Sequence, residues 1–562
     1  MLLTISLLMV LLPAILAFSW STDIRDAVDV FPSHTNNSYL NSLSSNQRQL
    51  FEYAMSGLDL NFGPPFLFNS PRYSAWYAVG LLARARDNDV STASEIIQQV
   101  ISHQYRDPSK LWFGTFRSRP SDPDPSAVYP PQPYVSYDLN QGLFVCTSWI
   151  IIMEEFQHLL NPDVVDLMKK SMYNATVGDG YRVGGVDGDN LYPIYSNPWY
   201  MRVMAATYVG NMMSDSNMTF WGDEWARQAL VEFDRFGTLS EFNSATYTGV
   251  SLFALSLWGY MPTNSTIYGR GAGVITKVWD SIGHFYNPTL GTLGGPWDRS
   301  YGFNMQSYFG ILGAHIVGLI GGVTDNSSPI PSPLVGSEHY GDVAAVALIP
   351  LTSKFHDKYV SSSVRSRLIK LQDGGHAHFA QAVSPPFEKL EFPRNYTSWT
   401  GDGLSVGGIQ VDSNVVGGPA INPSQFAPAV LLWSAGAAET GWISHYATSR
   451  SVSAVATADN LTISYPKSRA FPNLSSIADS SVMTFFISGF KHVTLDTGFL
   501  ANGSGTLPGL ELSVSGNVPR QGVRSFIYGA GSINDLLYYN LTFAFPDSFP
   551  TPEIIISFRK LH

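Results

Sequence analysis

The sequence predicts an α+β protein of two domains, an N-terminal α/α toroid (six-hairpin-like, complete or incomplete) followed by a C-terminal antiparallel β-sandwich. Three observations carry this. The chain has 562 residues, more than a single hydrophobic core serves. From about residue 45 to 325 apolar residues recur at helical spacing without strand-like alternation. Beyond about residue 340 the pattern changes to short β-branched or aromatic runs separated by turn residues.

The helical half is built from segments at 47–58, 74–86, 90–104, 142–159, 163–173, 197–213, 223–236, 245–259, 271–283 and 305–321. Gly, Pro, Asn and Asp clusters such as NFGPPFLFNSP and GDGYRVGGVDGDN break them apart. Paired helices alternating with long aromatic-rich loops suggest a toroid whose loops gather at one end and line a groove. The run from Tyr308 to Val323 carries no formal charge but is shorter than the ~20 residues of a membrane span. It is expected to be a core helix, with His315 a buried core histidine. In the second half, Leu461–Tyr465, Val482–Ser488, Leu510–Gly516, Leu541–Phe545 and Glu553–Phe558 read as strands. SPIPSPL at 328–334 is the natural hinge, so the expected domains are 18–330 and 331–562.

Residues 1–17 read as an export signal, apolar from Leu2 to Ala17 with small residues at Ala14 and Ala17, and no later membrane span is expected. Ten N-x-S/T sequons, at Asn36, Asn174, Asn217, Asn264, Asn326, Asn395, Asn460, Asn473, Asn502 and Asn540, agree with passage through the secretory pathway. Charged residues make up only 14%, against an ordinary fraction of roughly 25%, which suits a sugar-coated extracellular surface. A net charge of -11 with no basic run excludes nucleic acid as a partner. Cys146 is the single cysteine, which excludes an intramolecular disulfide, multi-cysteine zinc sites and iron–sulfur clusters. Its apolar setting, LFVCTSWIII, marks a buried structural thiol. No cofactor is expected.

The chemistry-bearing residues crowd into four stretches of loop and helix start. SYDLNQG holds Tyr137, Asp138 and Asn140; NPWYMR holds Trp199, Tyr200 and Arg202; EFNSATYTG holds Glu241, Asn243 and Tyr247; GGPWDRSYGFN holds Trp297, Asp298, Arg299, Tyr301 and Asn304. Asn243 or Ser244 is a competent helix N-cap, with Tyr247 about one turn in. His376 and His378, in GGHAHFA, would share one face of a strand and suit a metal, but no third ligand is visible.

This layout resembles the secreted polysaccharide lyases that join an α/α toroid to an antiparallel β domain, the heparinase and alginate-lyase kind. The resemblance rests on the architecture and on two close pairs, Asn243 with Tyr247 and Arg299 with Tyr301. It implies β-elimination at a uronic acid. Amide or guanidinium donors neutralise the carboxylate as charge accumulates, for which Asn243, Asn140 and Arg299 are candidates. A Tyr or His takes the C5 proton, for which Tyr247, Tyr301 and His376 are candidates. Trp199, Arg202, Glu241, Trp297 and Asp298 would join Asn140 in holding the glycan. Three other readings compete. A glycoside hydrolase would use two of Asp138, Glu241 and Asp298. A secreted lyase, dehydratase or cyclase would act on a small hydrophobic metabolite. A non-catalytic carbohydrate-binding protein would have no activity to lose.

Overall fold

A computed structural model describes residues 38–561 except 246, 300–309, 326–327, 331–339, 372, 413–425, 437–438, 471–479, 491–494, 496–497, 520–522, 528–536 and 548. The fold is α+β. Its helical part contains α1 (Ser45–Asn61), α2 (Pro71–Arg84), α3 (Asp89–Ser102), α4 (Gln141–Ile151), α5 (Pro162–Gly180), α6 (Ser196–Met213), α7 (Ser216–Phe236), α8 (Tyr247–Leu255), α9 (Thr266–Phe285), α10 (Gly310–Ile320) and α11 (Ser362–Ile369).

Sequence explains the boundaries. Ser44 accepts from the Gln47 amide to start α1, and Asn161 accepts from Asp163 ahead of Pro162 to start α5. Asp215 accepts from Asn217 and Met218 to start α7, which Gly237 ends at φ 71°. Helix α4 is buried along its whole length, whereas α7 and α9 bury one stripe. That difference sorts them into layers. Helices α2, α4, α6, α8 and α10 pack each on the next as an inner ring, and the 3₁₀ segment Tyr340–Leu348 closes it between α10 and α2. Helices α3, α5 and α7 lie outside their inner partners, and α9 lies against α7 and α11.

Helical structure therefore continues past residue 330, the boundary expected from SPIPSPL, to Ile369, and the sheet begins at His376. The closing pieces are short and lack a sustained period, which is why the sequence did not assign them to the toroid.

The second domain contributes β1 (His376–Ala382), β2 (Arg394–Gly401), β3 (Leu404–Asp412), β4 (Ala429–Gly436), β5 (Glu439–Tyr446), β6 (Ser451–Ala456), β7 (Asn460–Ser464), β8 (Val482–Ser488), β9 (Ser504–Leu507), β10 (Leu510–Gly516), β11 (Val523–Ile527), β12 (Leu537–Ala544) and β13 (Glu553–Lys560). All described pairings among them are antiparallel. Strand β3 pairs through residues 404–408 with β4 and through 410–412 with β6. The sheet divides there into two leaves, β4-β5-β8-β12-β11 and β6-β7-β13-β10-β9. The Tyr465 hydroxyl, just after β7, meets Nε2 of His445 on β5 at 2.9 Å, so the leaves face each other across a shared core.

The connections 103–140, 181–195, 237–245 and the described part of the last, 286–299, precede inner helices α4, α6, α8 and α10, so they gather at one rim of the toroid. The sheet domain docks on that rim. Trp297 and Ala427 exchange backbone hydrogen bonds of 3.0 Å, and Asn287 Nδ2 donates to the Gly401 and Leu404 carbonyls and to Ser405 Oγ. The backbones approach so closely that a Cβ on Gly407 would lie 1.7 Å from the Gly295 oxygen.

Candidate functional site

Three rim segments meet at Arg299. Its Nη1 donates to Glu241 Oε1 at 2.9 Å, and its Nη2 donates to the Tyr247 hydroxyl at 3.5 Å. The guanidinium carbon lies 4.2 Å from the Tyr247 ring centroid and 5.5 Å from that of Tyr195. The Arg299 side chain is 18% exposed while that of Glu241 is 4% exposed, so the cation faces the rim and its counter-ion lies beneath.

Glu241 is fixed from the other side by the first turn of α6. The Asn197 backbone amide and Nδ2 both donate to Oε2, at 3.2 and 3.0 Å. A carboxylate at a helix N-terminus is favoured by the unpaired amides and the helix dipole. Ser244 caps α8, accepting from the Tyr247 amide at 3.0 Å and donating to the Arg299 carbonyl at 2.9 Å. One hydroxyl thus sets both the helix that carries Tyr247 and the loop that carries Arg299.

Asn243 has a different job. It sits at φ 54°, in the left-handed region, and its Nδ2 donates to the Gly294 carbonyl at 3.0 Å and to the Pro296 carbonyl. Both amide hydrogens are spent holding loop 286–299, so neither is left for a substrate carboxylate. Asn197, which the sequence reading passed over, spends one of its two on Glu241.

Asn140 also lies on the rim, where its Oδ1 accepts from Arg182 Nη2 at 3.0 Å. Arg182 is buried and paired with Asp179 and Asp189. Beside it, Leu111, Tyr137, Tyr181, Val183 and Val186 line a cavity of about 260 Å³. Asp138 is occupied as a helix start, accepting from the Asn140 amide at 2.8 Å and from Gln141 Nε2 at 2.9 Å.

Several candidates lie in the core instead of the groove. Trp199 is buried with its indole donating to the Trp225 carbonyl at 2.9 Å, and Arg202 is buried against Asp179 at 2.7 Å. Trp297 is buried at the domain junction, its Nε1 on the Leu293 carbonyl at 3.3 Å. Their positions serve helix and domain packing, and a sugar ring has no face of theirs to stack on. Asp298 is buried in an ion pair with Arg394 of β2, and burial pushes its carboxyl above the usual range although Arg394 and Arg299 oppose this. His376 Nε2 donates to the His284 carbonyl at 3.0 Å, and His378 stacks on the His284 ring at 4.1 Å. Their contacts run to the end of α9 and not to Arg299 or Tyr247. Stacked parallel rings do not converge on one ion, and no metal-binding group of His, Cys, Asp or Glu occurs among the described residues. Tyr301 and Asn304 lie outside the described residues.

Cys146 is buried and its thiol is pushed up to about 12, chiefly by burial. His315 is buried, and burial lowers it well below the ordinary histidine range. No helix among the described residues is long and apolar enough to cross a membrane.

A search of curated proteins returns no match. Among solved structures the chain is similar to the Streptomyces coelicolor A3 chondroitin AC lyase, solved in complex with chondroitin sulphate. That likeness has a TM-score of 0.43 at 8% identity and covers 95% of this chain and 82% of that one. It is also similar to a Paenibacillus xanthan lyase, with a TM-score of 0.41 at 9% identity over 96% of this chain. The match spans 59% of the xanthan lyase, less than two thirds of its length. The sheet domain matches a family profile described as a domain of unknown function (DUF8770) over residues 374–559. The toroid and its rim, residues 48–354, match the profile described as a domain of unknown function (DUF8769), and the chain belongs to that family.

Proposed function

We propose that the chain is a secreted carbohydrate-active enzyme that cleaves uronic-acid-containing glycans by β-elimination. The observation that carries this is the phenol of Tyr247 lying beside the Arg299 guanidinium, at 3.5 Å from Nη2 and beneath 4.2 Å of ring contact, on a rim between the two domains. Arg299 receives the uronate carboxylate and stabilises the enolate-like charge that grows there. Glu241 and Asn197 hold Arg299 in place. Tyr247 takes the C5 proton, the C4–O bond breaks, a C4–C5 double bond forms, and a proton returns to the leaving oxygen. The guanidinium stabilises negative charge on the phenol oxygen, which lets a tyrosine act as a base. The step consumes no water.

The carboxylates support hydrolysis less well. A hydrolase needs one carboxyl group to protonate the leaving oxygen and another to attack or activate water. Asp138, Glu241 and Asp298 are each engaged by donors of the protein itself. Export is supported by the apolar segment within residues 1–17 and by the sequons, of which Asn217, Asn264 and Asn502 are exposed. Asn174, Asn395, Asn460 and Asn540 are half-buried, while Asn36, Asn326, Asn473 and residues 1–17 lie outside the described residues.

The test is ultraviolet absorbance of the unsaturated uronate during incubation with a panel of uronic-acid polymers, with reducing ends assayed in parallel. Absorbance that vanishes in Tyr247→Phe supports the reading. Reducing ends without absorbance overturn it in favour of hydrolysis. Silence in both overturns it in favour of a small-molecule substrate or a binding role.

A further inference from the structure

We propose that Arg394, supplied by the sheet domain, is the positioning residue of the Glu241–Arg299 pair, so that the second domain completes the site on the first. The proposal rests on the β-elimination reading of that pair. Arg394 lies in β2 and is 1% exposed. Its Nη2 donates to the Ser240 carbonyl at 2.6 Å and to Ser384 Oγ at 2.8 Å. Its Nη1 donates to Asp298 Oδ2 and, at 2.9 Å, to the Tyr396 hydroxyl, while Nε donates to Glu388 Oε2 at 3.1 Å. Ser240 precedes Glu241 and Asp298 precedes Arg299. One planar fork therefore grips the residue immediately before each member of the ion pair, on two segments that lie outside the helices and strands.

The network is more than charge balance requires. One cation faces two buried carboxylates, and both Asp298 Oδ1 and Glu388 Oε1 lack a hydrogen-bond partner among the described residues. Such an arrangement is costly to bury and contributes little net stability, but it dictates geometry. Aromatic packing closes the interface around it, with the Phe242 ring 4.7 Å from Tyr396 and 5.5 Å from Phe285. A displacement of the fork would be passed through one peptide unit to Glu241 and through one to Arg299.

Asp298 and Glu388 provide the discriminating test. Both are 4% exposed and share the Arg394 guanidinium, yet only Asp298 adjoins the reacting pair. Arg394→Lys, Asp298→Asn and Glu388→Gln would be compared for melting temperature, kcat and KM on a polymer the wild type cleaves. The expected result is a kcat loss of about 10- to 100-fold in Arg394→Lys and Asp298→Asn, with KM within about twofold, because misplacement by about 1 Å costs that much. Glu388→Gln should lose melting temperature comparably and keep its kcat. Equal kcat losses in Asp298→Asn and Glu388→Gln would reduce the cluster to a structural role and overturn the proposal, as would an unchanged kcat in Arg394→Lys. The two ideas fail separately. A wild type without unsaturated product sinks the β-elimination reading; the clamp is then decided by a crystal structure of Arg394→Lys, where an undisturbed Glu241–Arg299 pair would overturn it and a parted one would support it.

Discussion

Glu241 and Arg299, 58 residues apart in the chain, close an ion pair of 2.9 Å in which the carboxylate is the deeper partner. A buried carboxylate that already accepts from Asn197 holds the guanidinium still more than it neutralises it. Glu241→Gln keeps the shape but removes the charge that anchors Arg299. We expect kcat to fall about 10- to 100-fold by loss of aim, measured from initial rates of unsaturated-product formation. Complete loss of reducing-end formation, with no unsaturated product in the wild type, would instead identify Glu241 as a hydrolytic carboxylate.

Tyr247→Phe removes one oxygen and leaves the ring under the Arg299 guanidinium at its 4.2 Å separation. The cation–π contact and the Ser244 cap on the backbone persist, so folding should be nearly unaffected. Loss of a general acid–base group costs about 10²- to 10⁴-fold in rate. A fall of that size with an unchanged melting temperature is the expected outcome; retention of more than half the activity would remove Tyr247 from the mechanism.

Asn243 is expected to matter for stability more than for chemistry. Asn243→Ala orphans the Gly294 and Pro296 carbonyls and forces a Cβ residue to hold φ 54° without its side-chain bonds. The cost should be about 2–4 kcal/mol from the lost hydrogen bonds and the left-handed backbone. Asn243→Gly relieves the backbone and should recover about 1 kcal/mol of it. Urea denaturation of the two variants separates the terms, and equal midpoints would show that backbone strain plays no part.

The architecture was legible where periodicity was strong. Val482–Ser488 and Leu510–Gly516 were read to the residue, and α6 begins one position before the expected Asn197. Helix α7 starts at Ser216 and not at 223 because Phe220 and Trp221 lie exposed, off its buried stripe, and its start is written in the Asp215 cap. Strands β2 and β3 carry no clear strand signal, since RNYTSWTG and LSVGGIQVD mix Gly and Ser with weak alternation, whereas the start of β1 shows in the H-x-H spacing of His376 and His378. In the site, Glu241, Tyr247 and Arg299 stood out because loops dense in charge and phenols are unusual. Asn197 and Arg394 did not, because their importance is a contact: Arg394 reaches Asp298 across 96 positions. Trp199 and Arg202 stand at the predicted helix start, but the helix is enclosed from Ser196 to Gly210, and enclosure belongs to the assembled ring.

The acid dependence of stability should be shared by two fully buried histidines, His315, which burial holds well below the ordinary range, and His445. His445 lies on β5, its Nδ1–H donating to the Thr484 carbonyl at 3.0 Å and its Nε2 accepting the Tyr465 hydroxyl at 2.9 Å. Both nitrogens are satisfied in the neutral ring, and burial pushes its pKa down to about 4. The unfolded chain takes up a proton near pH 6.5 that the folded chain refuses until about pH 4. Stability is therefore full above pH 6.5 and declines as pH falls through that window, by about 3 kcal/mol for this group. His378 is also lowered to about 4, but it is only half-buried and solvent weakens its share. His445→Gln should be less stable at pH 7.5, because it loosens the join between the two leaves, yet lose less on acidification. Denaturation midpoints at pH 7.5, 6 and 5 should converge between variant and wild type. Parallel curves would mean that His445 titrates in the folded protein as it does in the unfolded one.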